Sequence, residues 1–149
     1  MLFYKTEEIE ELLKAPEKLP PIQSSDWLST GSTLLNLSCS GNAKGGFAKG
    51  KYHFIVGDSA SGKTWLSLTC LAEAAMNPEF ENYRFIYDNV EDGALMDIER
   101  FFGSKVAERI ESPAIDEDGL PDYSSTIEEF YFNVDDAIET HIGILLDKL

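Results

Sequence analysis

The feature that most restricts this chain is residues 57–64, Gly57-Asp58-Ser59-Ala60-Ser61-Gly62-Lys63-Thr64. They fit G-x-x-x-x-G-K-[ST], the phosphate-binding loop. The flanks supply the context the motif needs. Residues 51–56, Lys51-Tyr52-His53-Phe54-Ile55-Val56, form an apolar and aromatic run that predicts a buried strand. Beyond the loop, Trp65, Leu66, Leu68, Leu71, Ala72 and Ala75 recur at helical spacing as far as Asn77-Pro78, where a helix should stop. A chance match in a glycine-rich turn is the competing account, and the strand–loop–helix setting argues against it.

Each position of the loop has a physical job. Gly57 and Gly62 permit backbone angles that a side chain forbids, so that main-chain N–H groups can close around phosphate oxygens. The helix that follows aims the positive end of its dipole at the same place. Lys63 can reach the β and γ phosphates, and Thr64 can give its hydroxyl to Mg²⁺. Gly57, Asp58, Ser59, Ala60, Ser61, Gly62, Lys63, Thr64 and the adjoining Trp65 are therefore the candidate nucleotide-binding residues.

A chain of 149 residues with 43% apolar residues suits one domain of ordinary size. Its formal net charge of -15 argues against this segment being, by itself, a nucleic-acid-binding surface. Solubility is the plainer account of the acidity. Cys39 and Cys70 lie outside any metal spacing and read as buried residues of a reducing compartment. Neither His53 nor His141 has a partner that suggests a metal site or catalytic pair. No apolar run approaches the ~20 residues of a membrane span, and the N-terminus lacks a signal-peptide pattern. A soluble, cytoplasmic protein without membrane contact is expected.

The sequence divides into residues 1–26, a helix and proline-rich linker, and residues 27–149. The helix is expected over 6–15, capped by Thr6 and ended by Pro16. A short helix capped by Ser32 is expected over 33–38. The glycine-rich stretch 41–50 lacks a G-K-[ST] ending, so it reads as turns. Residues 83–88, Tyr83-Arg84-Phe85-Ile86-Tyr87-Asp88, predict the next strand, ending in an acidic cluster that includes Glu91 and Asp92. A helix is expected over 93–102, ended by Gly103, and a short strand over 106–110. Asp116, Asp118 and Asp122 invite a calcium reading, but no EF-hand glutamate follows in register.

Residues 130–136, Phe130-Tyr131-Phe132-Asn133-Val134-Asp135-Asp136, resemble an apolar strand ending in acids, the form of a Walker B motif. The period argues otherwise. Ile127, Phe130, Tyr131, Val134 and Ile138 recur at helical spacing, and Ser125 with Glu128 makes a capping box. One long helix is expected.

The order of these motifs is similar to the start of a RecA-type ATPase core, with the flavour of phage-type RecA-like recombinases. Ser29-Thr30-Gly31-Ser32, Gly45-Gly46 and Lys49-Gly50 precede the loop at 57–64, and Phe85-Ile86-Tyr87-Asp88-Asn89-Val90-Glu91 resembles the family's second core strand. The resemblance spans about 27–138. It implies an α/β fold, a RecA-type P-loop NTPase core with a mainly parallel sheet flanked by helices, incomplete at the C-terminus because no Walker B strand is found. It implies ATP and Mg²⁺ as ligands, Lys63 on phosphate, Thr64 on Mg²⁺ and Glu91 as the general base, with Asp88 the alternative base. It also implies a DNA-dependent ATPase that assembles on single-stranded DNA for recombination and repair, contacting DNA through parts beyond this chain. Such a protein is a homo-oligomer, filament or ring, in the cytoplasm of a bacterial host if phage-encoded. A hexameric helicase-type motor and a small P-loop kinase are the alternatives.

Overall fold

The computed structural model describes residues 21–89 and 96–146. The helix expected over 6–15, and Glu91 with most of its acidic cluster, lie outside the described residues. Nine elements follow in order: β1 (Trp27–Leu28), α1 (Thr33–Ser40), β2 (Phe47–Ala48), α2 (Lys63–Met76), α3 (Ile98–Phe102), α4 (Ser104–Arg109), β3 (Ala114–Ile115), β4 (Pro121–Asp122) and α5 (Ile127–Leu146). Two short 3-10 turns, Ser24–Asp26 and Pro78–Phe80, join them.

Among the described residues the expected parallel sheet is not formed, and this corrects the RecA-type α/β core that the sequence suggested. The sheets among the described residues are two antiparallel ribbons of two strands each, β1 with β2 and β3 with β4. Residues 52–58 have no strand assignment and remain largely exposed; Tyr52, Phe54 and Val56 keep 77%, 89% and 92% of their surface in contact with solvent. The stretch is tied to β2 by His53, whose Nε2 lies 3.0 Å from the Ala48 carbonyl and whose ring stacks on Phe47. Residues 83–88 pair in parallel at one point, Phe85 with Ile110, where the Glu111 N–H donates to the Phe85 carbonyl at 2.8 Å.

The reason is physical. An apolar run supplies strand-forming side chains, but a strand exists only where a second one completes its hydrogen-bond ladder, and a parallel sheet needs cover on both faces. Neither condition is met at 52–58. The strand expected over 106–110 is also displaced: residues 104–109 are α4, which buries Val106, and only Ile110 stays extended.

Helices agree better with the sequence. The Ser32 hydroxyl caps α1 by accepting from the Leu35 N–H, and Gly41 closes it in the left-handed conformation that glycine favours. Asp97 caps α3. The Walker B look-alike at 130–136 lies inside the single helix α5, as its period predicts. Its cap is one residue further on than expected. Thr126 Oγ1 accepts from the Glu129 N–H at 3.2 Å, and Glu129 Oε2 accepts in return from the N–H groups of Thr126 and Ser125.

The core is small. Ala74 of α2, Phe80, Phe85 and Val106 of α4 form its buried centre, with Leu28, Leu71, Ile98, Phe102 and Ile110 packed around it. The Arg109 guanidinium sits 3.9 Å from the Phe85 ring centroid, and its Nη2 donates to the carbonyls of Phe80, Glu81 and Tyr83. That one side chain ties the chain between α2 and residue 85 to α4. No helix among the described residues is long and apolar enough to cross a membrane.

Candidate phosphate site

The phosphate-loop residues lie at the N-terminus of α2. Asp58 and Ser61 close a turn, with the Ser61 N–H donating to the Asp58 carbonyl at 3.2 Å. Gly62 is the N-cap at φ +92, a conformation that side chains rarely adopt. Gly57 is constrained by space instead: a Cβ there would meet Ser61 Oγ at 2.6 Å. Ala60 also takes positive φ, at 61°. A loop that holds an alanine in this region is fixed by its surroundings, since the conformation costs about 1 kcal/mol or more.

Lys63 folds back over the loop. Its Nζ donates to the Gly57 carbonyl at 3.0 Å and to the Asp58 carbonyl at 2.9 Å. The ammonium is thus held at the loop by two neutral acceptors, which a phosphate oxygen can outcompete because charge-assisted hydrogen bonds are roughly twice as strong. Trp65 points elsewhere and packs on Phe102 and Phe101, with ring centroids 4.7 and 5.6 Å away. These contacts join α2 to α3 at the edge of the loop.

A cavity of about 300 Å³ opens beside the loop. Lys63, Thr64 and Ser67 of α2 line one side; His53, Ile55, Tyr87, Asp88 and Asn89 line the other. Lys63, Thr64 and Asp88 are thereby brought together from two parts of the chain. Asp88 Oδ1 accepts from the Ser124 N–H at 3.2 Å, and its Oδ2 accepts no hydrogen bond among the described residues. A hydroxyl and a carboxylate on one cavity are the hard oxygen donors that Mg²⁺ takes, together with phosphate oxygens and water. The residues fit that group. No group of three or more His, Cys, Asp or Glu side chains that could hold a metal by itself lies among the described residues. Gly57 to Gly62 do not line the cavity wall; they shape the turn from which Lys63 and Thr64 project.

Five wall residues, His53, Ile55, Ser67, Tyr87 and Asn89, are not among the site residues that the sequence points to. Ser67 follows Lys63 by one helical turn and donates to its carbonyl at 3.1 Å, a placement that i, i+4 spacing from the motif lysine would have flagged. His53 and Tyr87 sit in segments expected to be strands, where side chains alternate between faces.

The lead-in Ser29-Thr30-Gly31-Ser32 has a different task. Thr30 and Asn36 are almost fully buried. Asn36 Oδ1 accepts from the Thr30 N–H at 2.9 Å and from its hydroxyl at 2.7 Å, while Asn36 Nδ2 donates to the Ala43 carbonyl at 3.2 Å. Gly31 lies against α2, where a Cβ would come within 2.5 Å of Thr69 Cγ2, and one at Gly46 would meet Thr30 Cγ2 at 2.8 Å. Thr30 and Asn36 form a buried polar knot, and Gly31 sets the lead-in against α2 behind the loop.

Comparison with known proteins finds no family model, no curated protein and no solved structure that matches this chain.

Proposed function

We propose that the chain binds a nucleoside triphosphate with Mg²⁺ through residues 57–64, as the nucleotide-gripping part of an ATP-hydrolysing motor that acts on DNA. One observation carries the binding step: Lys63 and Thr64, at the start of a helix and after a glycine-bounded turn, share a cavity with Asp88. Main-chain N–H groups and the helix dipole favour an anion there. Lys63 neutralises the terminal phosphates, and the Thr64 hydroxyl ligates Mg²⁺, whose charge offsets that of the triphosphate.

Hydrolysis then needs a carboxylate to orient a water in line with the γ phosphorus and take its proton, while the bond to the β–γ bridging oxygen breaks and ADP leaves. Glu91 is the base in this reading, and Asp88 is the alternative, three residues earlier on the cavity wall. The motor on DNA rests on the order of sequence motifs, 29–32, 45–50, 57–64 and 85–91, which favours a recombinase that assembles with further copies on single-stranded DNA in the cytoplasm. The acidic chain would meet that DNA through other parts of the assembly.

The test is ATP hydrolysis with and without single-stranded DNA. Stimulation by DNA, lost in Glu91→Gln while nucleotide still binds, is expected. Phosphorylation of a small acceptor without DNA would point to a kinase and overturn the motor reading.

A further inference from the structure

We infer that the groove between residues 82–88 and α5 is the base pocket of the same ligand, and that the base it takes is adenine. The inference rests on the phosphate reading of residues 57–64. The groove has a volume of about 550 Å³, within the range of small-molecule sites. Ile86, Val134 and Ile138 give it apolar walls, and Tyr83 and Phe130 supply aromatic rings. Aromatic faces stack on nucleobases whatever their identity.

Continuity with the phosphate cavity is provided by one residue. Asp88 lines both spaces. Ile86 lies two residues back along extended chain, ~7 Å, a separation that a ribose bridges. A ligand with its phosphates at Lys63 can therefore pass Asp88 and lay its base between Ile86 and Phe130.

Asn133 gives the choice of base. It lines the groove, and its Nδ2 donates to Ser124 Oγ at 3.0 Å. An amide has two N–H donors and a carbonyl acceptor, so one donor and the acceptor remain. Adenine presents the complementary pair, N7 as acceptor and the N6 amino group as donor, which is why Asn reads adenine elsewhere. Guanine presents two acceptors on that edge and would leave the Asn133 carbonyl unpaired. The Asn133–Ser124–Asp88 contacts also join the base pocket to the phosphate cavity through the buried Ser124.

The test compares equilibrium binding of MgATP, MgGTP and Mg²⁺ with inorganic triphosphate to the full chain and to Asn133→Leu, Phe130→Ala and Lys63→Ala. The wild type should prefer ATP over GTP by about tenfold. Asn133→Leu should erase that preference, Phe130→Ala should weaken both nucleotides about tenfold, and neither should change triphosphate affinity. Lys63→Ala should weaken all three ligands. Unchanged nucleotide affinities in both groove variants, with loss in Lys63→Ala, would overturn the base pocket and leave the phosphate site standing. Failure of the wild type to bind even triphosphate would overturn the phosphate reading, and this inference with it. Should a groove variant lose its helical circular dichroism, photolabelling of the wild type with an azidoadenine nucleotide decides. Label on residues 82–88 or 130–138 supports the pocket, and label confined elsewhere refutes it. Label that fades as a dimer forms with rising chain concentration would put a second copy in the groove, against the inference.

Discussion

Replacing Asn36 by Leu should cost the fold about 3 kcal/mol. The substitution keeps the branching of the side chain but removes the hub of the knot behind α2. Three hydrogen bonds are lost, from the Thr30 N–H at 2.9 Å, from the Thr30 hydroxyl at 2.7 Å and to the Ala43 carbonyl at 3.2 Å, and the hydroxyl keeps only the longer contact to the Ser32 carbonyl at 3.3 Å. A hydrogen bond contributes about 0.5–1.5 kcal/mol net, and a buried group left without one costs more. Three at about 1 kcal/mol give the figure, against a total stability of roughly 5–15 kcal/mol for an ordinary domain. Urea unfolding followed by the fluorescence of Trp27 and Trp65 measures it. A double-mutant cycle with Thr30→Val isolates the hydroxyl contact and should show coupling of about 1 kcal/mol. A loss below about 0.5 kcal/mol, or no coupling, would mean that Thr30 and Asn36 do not form the knot in the way described.

Phe85→Ala should destabilise the chain by about 3–5 kcal/mol, because the ring is buried in the core and also carries the Arg109 guanidinium; thermal unfolding checks it. Cys39 should react with a thiol reagent at pH 8 well before Cys70, which is buried and whose thiol is pushed up to about 11, first by burial and then by the Glu73 carboxylate; mass spectrometry of the labelled peptides reads the order. Glu129 is held below the usual carboxylate range, first by the Ser125 hydroxyl and then by backbone N–H groups. A depressed acid stabilises the fold above its unfolded value, ~4.3, and that contribution is lost as pH falls through the lower folded value. The first turn of α5 should therefore fray on acidification, seen as lower amide protection factors at Ser125 and Thr126 relative to the intrinsic exchange rate at each pH, and Glu129→Gln should remove that pH dependence.

Local signals in the sequence carried further than long-range ones. The glycine-lysine-threonine step, the Ser32 cap and the helical period of α5 each concern residues within a few positions of one another, and each has its place in the structure. The period at Ile127, Phe130, Tyr131 and Val134 kept residues 130–136 from being mistaken for a strand. Residues 51–56 and 83–88 were misread for the opposite reason. Their apolar runs say what a strand would bury, whereas the partner that completes a ladder lies elsewhere in the chain, and periodicity is silent about it. A fold class built on those runs inherited the error.

The cap of α5 shows a finer limit. Ser125 and Thr126 are both capping residues, and Glu128 and Glu129 both follow at the right spacing, so two registers compete with equal signals. Asn36 was missed although a clue was present. An asparagine within a short helix is a poor helix former, and a buried one needs partners that only the turn at 41–46 and the lead-in at 29–32 supply. The meeting of Asp88 with Lys63 depends on how the chain returns after α2, which the residues between them do not encode in any short pattern.

The central claim is that residues 57–64 hold a triphosphate through Lys63. Calorimetric titration of Mg²⁺ and inorganic triphosphate into the wild type and into Lys63→Ala tests it most directly. Saturable binding to the wild type, weakened about tenfold or more in the variant through loss of a charge-assisted contact, is the predicted result. Equal affinity in the two chains, or no binding to the wild type, would contradict it.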